Sequence, residues 1–342
     1  MVIQYKCPNC GADMNFNSES GHLSCDSCGH QDNIEDFKEE FIIKTYDSEE
    51  AVEYQCENCG AEVITEPDTT ATQCSFCDAA VVLADRVSGV LAPKMVIPFT
   101  ISKEEAMKAF KVWCKNGRFS SKEFMNANRV KNITGMYVPF WMYDVNSDIA
   151  LKATGKKIRT YRRGDYVYTE TSIFEVERHF DLYYQNVPVD ASEKLSDSIM
   201  DKIEPYNYEE LKEFKTPYLA GFFAEKYNYD HEELYPRVEK KIQGYIDDYV
   251  ESTLTGYTSI TNRHDNRKVK NKDSQYVLFP IWMVYYDFDQ QEHTFAMNGQ
   301  TGKVVGKAPI SKLKVAKWVG GLTLSVFGIL KVAAGLVGGI WL

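Results

Sequence analysis

At 342 residues, with 44% hydrophobic and 13% aromatic content, the chain is long enough for two or three domains and apolar enough for a globular core, which excludes a disordered tail. A formal net charge of −10 argues against a general polyanion-binding surface, because non-specific nucleic-acid affinity comes from Lys and Arg neutralising phosphates. The chain opens MVIQYKCPNC, without a charged-then-apolar leader, so its nine cysteines are expected as reduced thiols in a cytosolic body rather than as a disulfide scaffold.

The first predicted elements are two small β zinc ribbons, residues 1–33 and 54–85. CPNC and CDSC, fourteen residues apart, bring Cys7, Cys10, Cys25 and Cys28; CENC and CSFC, at the same spacing, bring Cys56, Cys59, Cys74 and Cys77. An offset of 49 also aligns Tyr5 with Tyr54, Gly11 with Gly60 and Ala12 with Ala61, the mark of an internal duplication. Two cysteines three apart can both turn inward at a tight knuckle, and two knuckles supply four thiolates in tetrahedral geometry. A redox dithiol is the competing reading, but it needs one pair at a helix start, not four pairs at ribbon spacing. Iron suits such a cage chemically, and zinc is the default. The expectation is two structural Zn²⁺ per chain, neither with an open position for a catalytic water, with His22 and His30 as surface or supporting groups.

Residues 34–53 form an acidic linker, a solvated amphipathic helix or a docking segment. Residues 1–90 hold eighteen Asp and Glu against Lys6, Lys38, Lys44 and Arg86. A nucleic-acid partner is therefore disfavoured for the ribbons, and a protein partner is expected.

A central α+β domain follows, with a first half over 86–225 and a second over 226–310. Ser102 and Glu105 form a capping box ahead of a helix to residue 116, with Ala106, Phe110, Trp113 and Cys114 on its core face. The strand YVPFWMYD (137–144) has an echo in YVLFPIWMVYYD (276–287): Pro139, Trp141 and Met142 match Pro280, Trp282 and Met283. Each copy follows a helical stretch, 102–116 and about 231–253, so duplicated helix-plus-β-meander halves are expected. Basic runs at 156–163 and 263–272 are expected at hairpin tips, as solvated turns or as contacts to anionic lipid. NGQTGKVVG (298–306) lacks phosphate-loop spacing and reads as a hairpin turn, and no GxSxG, HExxH or GxGxxG occurs, so no catalytic residue and no enzyme is predicted.

Residues 318–342 are interrupted by the single charge of Lys331 and flanked by Trp318 and Trp341, which predicts a C-terminal transmembrane helix. Lysines before it and none after it place the bulk of the chain in the cytoplasm, giving a single-pass cell-membrane protein. Gly321, Ser325, Gly328 and Gly335 form a small-residue seam bordered by Lys331, expected to pack against the helix of a partner membrane protein. An amphipathic hairpin in one leaflet and a buried soluble helix are the alternatives.

With these residues in place the chain resembles the YdjG-type family of bacterial membrane proteins with tandem transcription factor IIB-type zinc ribbons. The resemblance rests on the paired CxxC knuckles, YVPFW (137–141), NVPVDAS (186–192), IEPYNYEEL (203–211), YVLFPIW and AMNGQTGKVVG. It implies a non-enzymatic membrane-stress scaffold, associated with phage-shock defence, that acts with a partner membrane protein and recruits an SPFH-domain protein. A membrane-tethered nucleic-acid-binding or transcription-related regulator is the alternative.

Overall fold

The computed structural model describes residues 2–37, 52–83, 86–87, 92–116, 133–288, 291–306 and 311–338. Residues 38–51 of the expected acidic linker, and Trp341, lie outside the described residues. Sheet dominates. Four α-helices are seen among the described residues: α1 (Lys103–Asn116), α2 (Asp197–Ile203), α3 (His231–Leu254) and α4 (Lys312–Gly338).

The frame consists of three long strands, β10 (Thr134–Arg163), β11 (Tyr166–Asp190) and β14 (Ser259–Phe288). β10 lies between the other two, antiparallel to both. Alternation decides their faces: Val145, Ser147, Ile149, Leu151 and Ala153 are buried, while Asp148, Ala150 and Lys152 between them are exposed. α3 covers the buried face with Val238, Ile242, Ile246, Val250 and Leu254, a run at helical spacing. The Asp230 side chain accepts from the N–H groups of Glu232 and Glu233, closing the start of that helix in a capping box.

The two proline–tryptophan motifs meet in the middle of this sheet. Val138 pairs with Phe279, and these are equivalent positions in the two copies, so a local twofold axis passes between them. Short parallel partners obey the same relation. β13 (Phe223–Glu225) pairs with Met136 and Tyr137, and β9 (Met95–Val96) pairs with Val277 and Leu278. Each half thus runs short strand, helix, long strand, returning strand: β9, α1, β10, β11 and then β13, α3, β14, β15 (Gln291–Asn298). β16 (Val304–Gly306) returns along β15 through the turn at Asn298–Lys303. At the aromatic centre, Phe99 stacks on Phe222 at 4.2 Å and packs against Tyr137 and Trp282. The Trp282 indole N–H donates to the Ile101 carbonyl at 3.0 Å.

The ribbons grow into this sheet. β7 (Thr69–Gln73) pairs with β13, β8 (Ala80–Leu83) with β7, and the first strand of the chain, β1 (Val2–Ile3), with β8. The Arg86 guanidinium, 4% exposed as a residue, donates to the carbonyls of Glu66 and Thr69 and to the Thr65 hydroxyl.

Two expectations are corrected here. Among the described residues no helix is long and apolar enough to cross a membrane. Lys331 divides the expected span: from Lys317 to Lys331 only residues 318–330 are uncharged, which is about 20 Å of helix against a hydrocarbon core of about 30 Å. The multidomain architecture ending in a transmembrane helix, and with it the single-pass cell-membrane localisation, is therefore replaced by a largely sheet protein with α4 at its end. The basic run at 263–272 also lies along β14 instead of at a tip. The run at 156–163 does lead into one, at Gly164.

Candidate metal centres

Four knuckles share one backbone recipe. After each CxxC pair the chain turns back, so that the N–H of Gly11, Gly29, Gly60 or Asp78 donates to the carbonyl of Cys7, Cys25, Cys56 or Cys74 at 2.8–2.9 Å. A left-handed φ makes that turn, +75° at Gly11, +74° at Gly29 and Gly60, and +57° at Asp78. The first cysteine of each pair then donates its own N–H one residue further on, to Ala12, His30, Ala61 or Ala79. This places two sulfurs per knuckle on one side. In the first ribbon, β2 (Asn15–Asn17) and β3 (His22–Ser24) separate the knuckles and β4 (Gln31–Asp32) follows the second; in the second ribbon, β5 (Val52–Gln55) precedes the first knuckle and β6 (Glu62–Thr65) and β7 separate the two.

The donor atoms of Cys7, Cys10, Cys25 and Cys28 lie within 4.8 Å of one another, as do those of Cys56, Cys59, Cys74 and Cys77, and among the described residues these are the two groups placed to hold a metal ion. Sulfurs at about 2.3 Å from a tetrahedral ion stand roughly 3.8 Å apart. Cys7 to Cys28 and Cys10 to Cys25 are 3.5 Å, Cys56 to Cys77 is 3.8 Å and Cys59 to Cys74 is 3.7 Å. The thiol sets fit an ion, so the chain presents sites for two structural metal ions.

Ionisation is uneven within each set. Burial opposes it at Cys25, but the N–H groups of Cys28 and Ser27 bring that thiol down to about 7. Cys56 likewise falls to about 7 against its burial, through Cys59 and Asn58. A backbone bond from His30 lowers Cys28, yet hydrogen bonds with Cys7 and Cys10 carry it up to about 12. Cys59 reaches about 12 against a backbone bond from Ala61, chiefly through Cys77. A metal ion must displace protons from the high member of each set.

Supporting groups that spacing did not reveal surround the second site. Gln4 donates to the Cys56 sulfur at 3.6 Å and to the Ala80 carbonyl, and Asn58 donates to the Cys77 sulfur at 3.5 Å. Lys6 donates to Asn58 at 2.8 Å, joining the ribbons. Gln4 carries no motif; Asn58 had a signal in its duplicate Asn9, whose amide lies 3.1 Å from a ring nitrogen of His30. His30 in turn contacts Asp32 at 2.9 Å. The first ribbon docks on the body through Phe16, which packs on Tyr218 and Phe222 and donates its N–H to Ala220.

The remaining expected site residues lie together on α4. The Ser325 hydroxyl donates to the Gly321 carbonyl at 2.8 Å, one turn back, and the Lys331 ammonium sits 5.5 Å over the Phe327 ring. Among the described residues the space beside Gly321 and Gly328 is open, and Gly335 lies further along the same helix. In the body, burial raises the carboxyls of Asp190, Glu204 and Glu225, and each is tied to a cation, Arg237, Lys241 or Lys194.

No protein-family model and no solved structure matches the chain. It is 57% identical over 339 residues to "Uncharacterized protein YdjG" of Bacillus subtilis (strain 168), and the match covers 99% of each chain. The chain belongs to the YdjG family. That relative's name states no activity, so membership leaves function to the residues.

Proposed function

We propose that this chain is a non-enzymatic adaptor whose two zinc-loaded ribbons present a protein-binding surface from a rigid sheet. Zinc is the ion that an all-thiolate, four-ligand set favours, and with no ligand position left for water its role is structural. The observation that carries the reading is on the second ribbon. Phe76, inside the CSFC knuckle, is 74% exposed and Ile64 is 68% exposed. Glu62 and Asp78 each lie two residues from one of them in the sequence. Large exposed apolar groups in an acidic setting suit a protein partner and repel a phosphate backbone. Pairing of β7 with β13 holds that surface on the body.

By the resemblance to membrane-stress proteins, the partner is an SPFH-domain protein, and the adaptor assembles it in a bacterial membrane-stress response. A binding titration of the full chain with a purified SPFH-domain protein from the same genome tests this. Phe76→Ser and Ile64→Ser should each weaken binding by about tenfold or more, with metal content unchanged. Wild-type affinity in both variants, or salt-dependent binding of duplex DNA by the ribbons instead, would overturn it.

A further inference from the structure

The hairpin of β10 and β11 runs well beyond the rest of the sheet. β14 leaves β10 at the Lys156–Ser259 pair, and the last outside support is the bond from the Ile158 N–H to the Thr258 hydroxyl at 3.0 Å. From there to the Arg163–Tyr166 pair the two strands have only each other among the described residues. An isolated two-stranded ribbon is marginal in water, and this one leaves apolar side chains bare on both faces. Tyr166, Val167 and Ile173 are 71%, 67% and 67% exposed. The pairing register puts Tyr161, Tyr166 and Tyr168 on one face and Ile158, Val167 and Ile173 on the other.

The same tip is basic. Lys156, Lys157, Arg159, Arg162 and Arg163 stand against Asp165 and Glu170 in a chain whose net charge is −10. No ion pair engages these five cations among the described residues. Lys157 lies over Phe174 and Tyr257 at 5.5 and 5.3 Å, Arg159 over Tyr161 at 5.7 Å, and Arg162 donates to the Gly164 carbonyl.

We propose that residues 156–174 dock on an anionic lipid surface, with the Tyr, Ile and Val side chains at headgroup depth and the Lys and Arg side chains on the phosphates. A protein groove covers one face of a ribbon, whereas a fluid lipid surface covers both. Single-stranded nucleic acid fits less well, because bases need free aromatic faces. Here Tyr161 and Tyr168 stack on each other at 5.5 Å and 14°, the apolar groups of the opposite face are the aliphatic Ile158, Val167 and Ile173, and of the exposed tip tyrosines Tyr166 alone has no ring partner among the described residues. From Tyr137, near the ribbon junction, to Arg163 the strand extends about 85 Å, many times the Debye length of about 8 Å. The acidic ribbons therefore do not oppose the contact, and no helix need cross the bilayer.

Flotation of the full metal-loaded chain with vesicles tests the proposal, using phosphatidylglycerol mixed into phosphatidylcholine and phosphatidylcholine alone. Wild type should float with the anionic vesicles and lose that binding as salt is raised. The triple variant R159E/R162E/R163E should bind at least about tenfold more weakly, and the pair Y166S/V167S should also weaken binding with its circular dichroism and metal content intact. Equal binding to both vesicle types, wild-type binding by the pair, or failure of wild type to float would overturn the proposal. So would hairpin-dependent binding of single-stranded DNA without flotation, which would assign the tip to nucleic acid.

Discussion

The Arg237 guanidinium lies 2.7 Å from the Asp190 carboxylate, whose side chain is 1% exposed, and reaches Asp201 at 2.9 Å and Asp197 at 3.3 Å. One side chain of α3 thereby fastens β11 and α2 to the same helix. Replacing it with methionine keeps the stem and leaves a buried carboxylate without its counterion, so Arg237→Met should cost about 3–5 kcal/mol in denaturant unfolding at neutral pH. Burial already holds Asp190 up to about 6 against the arginine, and losing the arginine raises it further. The deficit is therefore present where the carboxyl is ionised in the folded state and shrinks as pH falls through that folded-state value. Equal deficits at about pH 5 and about pH 8 would refute the assignment.

Asp78 performs at the fourth knuckle what glycine performs at the other three, with φ +57°. A side chain in that conformation carries a strain of roughly 1 kcal/mol, somewhat less for Asp. Asp78→Gly should therefore raise the unfolding midpoint of the metal-loaded chain. A lower midpoint would mean that the carboxylate has a role at the turn beyond the backbone.

Metal affinity should fall steeply on acidification, by about tenfold per pH unit for each proton displaced. The thiols at about 12, Cys28 and Cys59, guarantee that at least one proton per site leaves on binding at neutral pH. Competition with a chromophoric chelator between about pH 6 and 8 measures the slope; a flat profile would contradict the thiolate count. Chelation should also raise hydrogen exchange in β13, because β7 of the second ribbon is its sheet neighbour.

Phe16 of the first ribbon meets Tyr218 at 5.4 Å and Phe222 at 6.2 Å. Phe16→Ala should cost about 3–5 kcal/mol and expose residues 15–24 to protease with metal still bound. Unaltered proteolysis would show that the backbone bond to Ala220 and the Tyr5–Thr216 and Lys215–Glu35 contacts keep the ribbon docked without the ring.

Local signals carried much of the sequence reading. The eight cysteines were legible because knuckle chemistry depends on spacing alone. The capping box at Ser102 was legible for the same reason, and Ser102 and Glu105 do bond reciprocally. Long-range pairing was not legible. Nothing local in TTATQ (69–73) announces a neighbour at residues 223–225, and no residue pattern sets strands of thirty residues apart from a meander. The C-terminal expectation erred by giving twenty-five mostly apolar residues more weight than the single lysine dividing them. Gln4 and Arg237 carry no motif because their importance lies in what stands across from them.

Strand pairing also orders biosynthesis. Val2 and Ile3 find their partners only once Val82 and Leu83 exist, and β7 meets its neighbour on the body side, β13, only after Glu225 has been made. At about 5–20 residues per second, the ribosome leaves that edge open for on the order of ten seconds. Each thiolate cage closes within a far shorter stretch, so nascent chains starved of metal should be lost to aggregation before the body is ever completed.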